Sequence, residues 1–219
     1  MAVVVDTLTF STTVSVAADQ GVWVRPYRWA GAAAGDEARR LGATLAVHRG
    51  AAVPGDVSLS PSTFRTANDL TRVVLPSPNG STICAVLAEA GADVVVGTLR
   101  NRHAVAAYLR ERGDRVLLVP AGERWPDGSL RPAIEDLWGA GAVVDAILAA
   151  DPGVAMTDET LAATAAYRLV EDRLPETLLA CPSGQELVGL GYASDVTIAA
   201  ELDASQAVPT LQDGWLTAT

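Results

Sequence analysis

Short apolar runs alternate with Ala-rich segments along most of this chain, and that alternation narrows the choice of fold more than any other feature. The runs 2–6, 22–26, 44–48, 72–76, 93–97 and 115–119 are short, apolar and bounded by Gly or Pro, as buried strands are. The segments 11–20, 30–41, 79–90, 101–112, 132–149 and 157–172 fit helices that cross from one strand to the next. Strand–helix alternation predicts an α/β fold, with helices flanking a mixed, mostly parallel sheet. No linker divides the chain, so residues 1–219 are read as one domain. A core dominated by Ala and Val, with aromatics at 5%, suits helices lying close on a sheet.

Two stretches resemble each other: "VVVDTLTFSTTVSVAADQGVWV" and "VVLPSPNGSTICAVLAEAGADVVV". Each reads strand, polar loop, helix, Gly, strand. Aligning Ser11-Thr12 with Ser81-Thr82 also aligns Ala18 with Ala88 and Gly21 with Gly91. One β-α-β unit used twice is the expectation. Each loop then sits where a strand's carboxyl end meets a helix N-terminus, which is where open α/β sheets bind ligands.

Charge narrows the ligand. A formal net charge of −10 argues against nucleic acid and anionic membranes as partners. The chain has no lysine; all sixteen Lys-plus-Arg positions are Arg. Schiff-base chemistry and a P-loop lysine are therefore excluded, and an anion must be held by Arg, backbone N–H groups or a metal. Cys84 and Cys181 lie far apart outside any metal pattern and read as reduced, buried thiols. No apolar run is long enough to span a bilayer, and the expected location is the cytoplasm.

Four loops hold the residues suited to chemistry. In the first, Asp6 ends a strand and Ser11 or Thr12 would cap the next helix. Unpaired N–H groups at a helix start favour phosphate, but a lone carboxylate repels it. A divalent cation between them removes the conflict, since Mg²⁺ commonly takes one or two carboxylates together with substrate oxygens. The second loop, "SPNGST" at 77–82, offers Ser77, Asn79, Ser81 and Thr82, with Gly80 allowing close backbone approach. In the third, Pro132 suits a first helical turn, followed by Glu135 and Asp136, which either stabilise the helix dipole or join Asp6 on one cation. Gly139 and Gly141, costly within a helix, predict close packing against another backbone. The fourth, "CPSGQELVGLG", reads as a capping box with Ser183 as N-cap and Glu186 at N3. The Gly- and Pro-rich stretch 120–132 reads as a site loop. "GLGYAS" does not follow a strand and is rejected as a dinucleotide fingerprint, and no other familiar catalytic motif is present.

Taken in order, these pieces resemble the 2-phosphosulfolactate phosphatases, the ComB-like proteins. "VDTLTFST" (5–12) looks like that family's opening VDVLRATST motif, and Ser77-Pro78-Asn79-Gly80-Ser81 like its TTNGT loop. "TLRNRHAVAAYL", "AGERWPDGSLRPAIEDLWGAGAVV" and "SGQELVGLGYASDVTIAAELDASQAVP" match later segments almost to the chain's end. Thr9 stands where the family motif has Arg, and His48 where it has Glu beside the kept Arg49. The family's LGNSP reads Ser58-Leu59-Ser60-Pro61 here, without the Asn.

The resemblance implies a fold of two intertwined repeats and an Mg²⁺-dependent phosphomonoesterase acting on 2-phosphosulfolactate. Asp6 and Glu135 or Asp136 would hold Mg²⁺. Asn79 and the N–H groups at Gly80, with Ser11, Thr12, Ser81 and Ser60, would orient a small anionic phosphorylated substrate, and Arg49 would balance its charge. The alternative is an altered relative that binds a different small anion or phosphate ester. A second copy of the chain, as a homo-oligomer, is the remaining partner considered.

Overall fold

The computed structural model describes residues 1–28, 31–113 and 115–219. In chain order the elements are β1 (Ala2–Val5), α1 (Phe10–Asp19), β2 (Trp23–Tyr27), α2 (Ala32–Leu41), β3 (Thr44–Leu45), α3 (Pro61–Thr66), β4 (Arg72–Pro76), α4 (Gly80–Glu89), β5 (Val94–Val96), α5 (Arg102–Arg112), β6 (Leu117–Pro120) and the ribbon β7 (Glu123–Arg124) and β8 (Leu130–Arg131). Then come α6 (Ile134–Ala150), α7 (Asp158–Arg168), α8 (Leu174–Ala180), α9 (Pro182–Gly189), α10 (Ala193–Ala199), β9 (Pro209–Gln212) and β10 (Trp215–Ala218).

The main sheet has eight strands in the order β3-β4-β2-β10-β9-β5-β1-β6. β1 lies parallel between β5 and β6, and β4 lies parallel between β2 and β3. The antiparallel hairpin β9–β10 joins these two blocks, so their strands run in opposite directions. Each β-α-β unit gives one strand to each block: β1 and β2 come from the first, β4 and β5 from the second. The repeat seen in the sequence is thus real in space, and the two units are interlaced.

Local bonds repeat with a constant offset of 70 residues. Thr12 Oγ1 donates to the Thr7 carbonyl at 2.8 Å, and Thr82 Oγ1 to that of Ser77 at 3.3 Å. Val22 N donates to Ala17 O at 3.0 Å, and Ala92 N to Leu87 O at 3.0 Å. Phe10 and Gly80 are equivalent positions, and they meet: a Cβ on Gly80 would stand 2.2 Å from Phe10 Cδ1.

Strands buried on both faces explain the continuous Val runs. Val4 packs with Phe10, Val14, Val24 and Leu75 on one side, while Val3 and Val5 pack with Val105, Leu109, Val143 and Ile147 on the other. Gly139 packs against side chains, and Gly141 against another backbone as its helix cost suggested. Their Cβ atoms would lie 2.6 Å from Thr7 Oγ1 and 2.1 Å from the Ala163 carbonyl oxygen. α6 therefore lies directly against the end of β1 and against α7. No helix among the described residues is long and apolar enough to cross a membrane. Cys84 and Cys181 are free and buried.

Several expectations need correction. The stretch 120–132 is a hairpin rather than a loop, because Pro126-Asp127-Gly128 turns the chain and Glu123 pairs with Arg131. The expected strand 44–48 shrinks to Thr44–Leu45, with Val47 making only an isolated bridge to Ser58. Pro132 precedes α6 instead of opening it. The segment 157–172 breaks after Arg168 into a 3₁₀ turn at 171–173. The expected helix 30–41 begins at Ala32, and its first residue, Ala30, lies outside the described residues. The last residues, outside the strands expected from the sequence, form the central hairpin. Asp213 and Gly214, both at positive φ, make its two-residue turn.

Candidate active site

Asp6 ends β1 at 5% exposure and ties the starts of both equivalent helices together. Its Oδ1 accepts the Phe10 N–H at 3.2 Å and its Oδ2 the Gly80 N–H at 2.9 Å. Both are first-turn donors without intrahelical partners, and both carry the positive end of a helix dipole. Despite them, the Asp6 carboxyl is pushed up to about 7. Burial is the main cause, followed by the charge of Glu123, with a smaller share from Glu135.

The other acids stand close by. Asp136 Oδ1 accepts the Thr7 N–H at 2.7 Å and Oδ2 the Gly122 N–H at 2.8 Å, which locks α6 to the end of β1 and to the hairpin's first residues. Burial, then the Asp6 charge, raises this carboxyl well above the ordinary range. Glu135 is 2% exposed beside it. Glu123, on β7, accepts the Asn79 amide Nδ2–H at 2.8 Å, and burial raises its carboxyl too.

Asp6, Asn79 and Glu123 face a cavity of ≈ 200 Å³ whose other walls include Thr9, Arg49, Ser77, Ser183 and Glu186. Among the described residues, Arg49 is the one cation on these walls. Its Nη2 donates to Thr9 Oγ1 at 2.7 Å and to the Leu59 carbonyl at 2.9 Å. The Tyr192 ring lies 5.0 Å from the guanidinium carbon, and the buried Asp195 carboxylate is 3.5 Å from Nη2. Thr9, at the position where the related motif carries Arg, therefore serves as an acceptor that fixes Arg49.

The structure brings Asp6, Asn79, Gly80 and Arg49 together, but it corrects the roles of other expected contacts. Ser11, Thr12 and Ser81 are fully buried behind the helix starts. Their hydroxyls donate to the carbonyls of Val4, Thr7 and Leu75, so they brace each helix onto its strand. Neither Ser11 nor Thr12 caps α1; Thr9 holds the N-cap position without a side-chain cap bond. Ser60 donates to Asp195 Oδ1 at 2.5 Å, away from the cavity walls. Glu135 and Asp136 lie behind Asp6 and do not line the cavity. Ser183 and Glu186 form no capping box: Cys181 is the N-cap of α9, its sulfur accepting the Gly184 N–H at 3.4 Å. Glu123 went unnoticed in sequence, although the stretch containing it read as a site loop. Among the described residues, no group of three His, Cys, Asp or Glu side chains forms a ready ligand set for a metal.

A pH effect follows from the raised carboxyls. A group whose folded pKa exceeds its unfolded value stabilises the fold below the unfolded pKa, and that contribution is lost as pH rises through the folded value. Without divalent metal, stability should fall as pH rises above about 4, with the Asp6 component lost by about 7. That component is on the order of 4 kcal/mol. Thermal melts in EDTA should show a shallower fall for Asp6→Asn over this range. An unchanged slope would contradict the assignment.

The cavity's chemistry has a counterpart among known proteins. A sequence model of the family described as 2-phosphosulpholactate phosphatase matches residues 1–214. A probable 2-phosphosulfolactate phosphatase of Carboxydothermus hydrogenoformans is 33% identical over 180 residues, covering 80% of this chain and 71% of the relative. The 2-phosphosulfolactate phosphatase of Methanothermobacter thermautotrophicus is 32% identical over 218 residues, covering 98% and 88%. A probable one from Deinococcus radiodurans is 32% identical over 144 residues, covering 65% and 57%. The match runs through every element that builds the cavity, and this chain belongs to the 2-phosphosulfolactate phosphatase family.

Proposed function

We propose that this protein is a magnesium-assisted phosphatase that hydrolyses 2-phosphosulfolactate to 3-sulfolactate and phosphate. The observation that carries this reading is Asp6: one carboxylate at a strand end, bonded to two helix starts, on the wall of a cavity that also presents Arg49. Family membership supports the reaction class and the substrate.

The donor set suits a hard cation. Asp6 and Glu123 offer carboxylate oxygens at the cavity, and burial together with neighbouring acids makes their ionisation costly, a cost that a divalent charge would relieve. Mg²⁺ keeps several waters and needs only one or two protein carboxylates. Asp6 and Glu123 would be its ligands. Glu135 and Asp136, buried behind them, add negative potential. When bound, the ion supplies charge neutralisation and polarisation at the phosphoryl group.

The chain's own groups have separate tasks. Arg49, fixed by Thr9 and the Leu59 carbonyl, balances phosphoryl charge with a guanidinium whose direction is already set. Asn79, oriented by Glu123, and the hydroxyls of Ser77 and Ser183 supply neutral polar contacts.

Phosphate release from 2-phosphosulfolactate tests this directly. Turnover is expected with Mg²⁺, falling by about 100-fold or more in EDTA and returning on re-addition. No release at saturating metal and substrate would overturn the proposal.

A further inference from the structure

The proposed substrate carries a sulfonate and a carboxylate besides its phosphoryl group, yet among the described residues the cavity wall presents a single cationic side chain. If Arg49 and the cation held by Asp6 and Glu123 meet the phosphoryl group, the remaining acid groups face Glu186. Such a ligand needs a further cation close to the wall.

Arg131 stands there. It lies on β8, paired in register with Glu123, and its guanidinium reaches across to α9 on the other side of the cavity mouth. Nη1 donates to Glu186 Oε1 at 2.9 Å and Nη2 to Oε2 at 3.1 Å, a fork-on-fork pair. The Trp125 ring lies 5.7 Å from the guanidinium carbon and helps hold it in place. The two partners differ in freedom. The Arg131 side chain is 15% exposed and enclosed by its hairpin, while that of Glu186 is 59% exposed and lines the cavity. An exposed carboxylate can swing into water at little cost, and an exposed ion pair contributes little to stability. A substrate carboxylate or sulfonate offers the same two-oxygen edge that Glu186 now presents.

We infer that Arg131 recognises a second acid group of the substrate, and that Glu186 occupies this position in the free protein and is displaced on binding. This rests on the phosphatase reading above and adds where the non-phosphoryl end lies. Specificity for a multiply charged ester then depends on an exchange of one carboxylate for another.

The experiment compares kcat/KM for 2-phosphosulfolactate with that for glycerol 2-phosphate, a secondary ester without a second acid group. Arg131→Ala and Glu186→Gln break the same ion pair. A merely structural pair predicts that both variants shift the ratio alike or leave it alone. Substrate recognition by Arg131 predicts opposite shifts. Arg131→Ala should lower the ratio by about tenfold or more, and Glu186→Gln should raise it several-fold. Arg131→Lys, which keeps charge but loses the fork, should fall between and guards against misfolding of the alanine variant. Arg124→Ala, whose guanidinium bonds the Gly128 carbonyl within the hairpin, should leave the ratio unchanged. Calorimetric titration with 3-sulfolactate reads the same position without turnover, and its affinity should follow the same order. Hydrolysis of both esters with parallel shifts, or with none, would overturn this inference alone. Neither hydrolysis nor 3-sulfolactate binding by the wild type would overturn it together with the functional reading.

Discussion

Asp6→Asn should lower kcat/KM by ~10³-fold or more while leaving the protein folded. The substitution is nearly isosteric, and the side-chain oxygen can still accept one of the two helix N–H groups. It removes the charge that the proposed cation needs and leaves either Phe10 N or Gly80 N facing an amide donor. Loss of several kcal/mol of transition-state stabilisation corresponds to the expected factor. Two readouts separate this from general damage. Circular dichroism should remain that of the wild type, and the rise in melting temperature expected of the wild type on adding Mg²⁺ should largely vanish. Glu123→Gln, on the same wall but acting with Asp6, should cost less, about 10–100-fold. A variant at position 6 that keeps a tenth of wild-type activity would remove Asp6 from the chemistry.

The position of Asp6 is legible in the sequence because a single local rule reveals it: a carboxylate placed where a Val-rich run stops and a hydroxyl-rich helix begins. The duplicated unit is legible for the same reason, since its signal lies within each stretch. The roles of Ser11, Thr12 and Ser81 are not. A hydroxyl in a helix's first turn can point to a ligand or back to its own strand, and only the packing of helix on sheet decides. Glu123 acquires its place from the hairpin's register and from Asn79, 44 residues away. Glu186 spaced three residues after Ser183 imitates a capping box, but its partner Arg131 is 55 residues away. The strand order is the least legible feature. Nothing local in "VPTLQDGWLTAT" says that this hairpin will sit at the centre of the sheet and join two blocks running in opposite directions. Those relations are set by pairing between distant strands, which periodicity within one window cannot carry.

The interlacing of the two units predicts a large loss of stability from one added methyl group. Gly80→Ala places a Cβ within 2.2 Å of Phe10 Cδ1, 2.5 Å of Cγ and 2.8 Å of Cβ, so the ring cannot escape by a small rotation about its own axis. Phe10 is fully buried between the strands of both blocks, so it has no solvent to move into. Overpacking of this kind costs ~1–3 kcal/mol. A shift of α4 to relieve it would also draw Gly80 N away from the Asp6 carboxylate, a charge-assisted bond worth ~1.5–3 kcal/mol. We expect a loss of about 4 kcal/mol, near 10 °C in melting temperature for a chain of this size. Activity should fall along with stability, because the same shift loosens Asp6. Phe10→Leu alone should destabilise by ~1–2 kcal/mol through the space it leaves. In the double variant the smaller side chain makes room for the new methyl group, so its loss should be smaller than the sum of the two by ~1–3 kcal/mol. Chemical denaturation of the four proteins measures that coupling. Additive losses would mean that the large and small residues at these equivalent positions do not depend on each other, and that the two helix starts are held together by Asp6 alone.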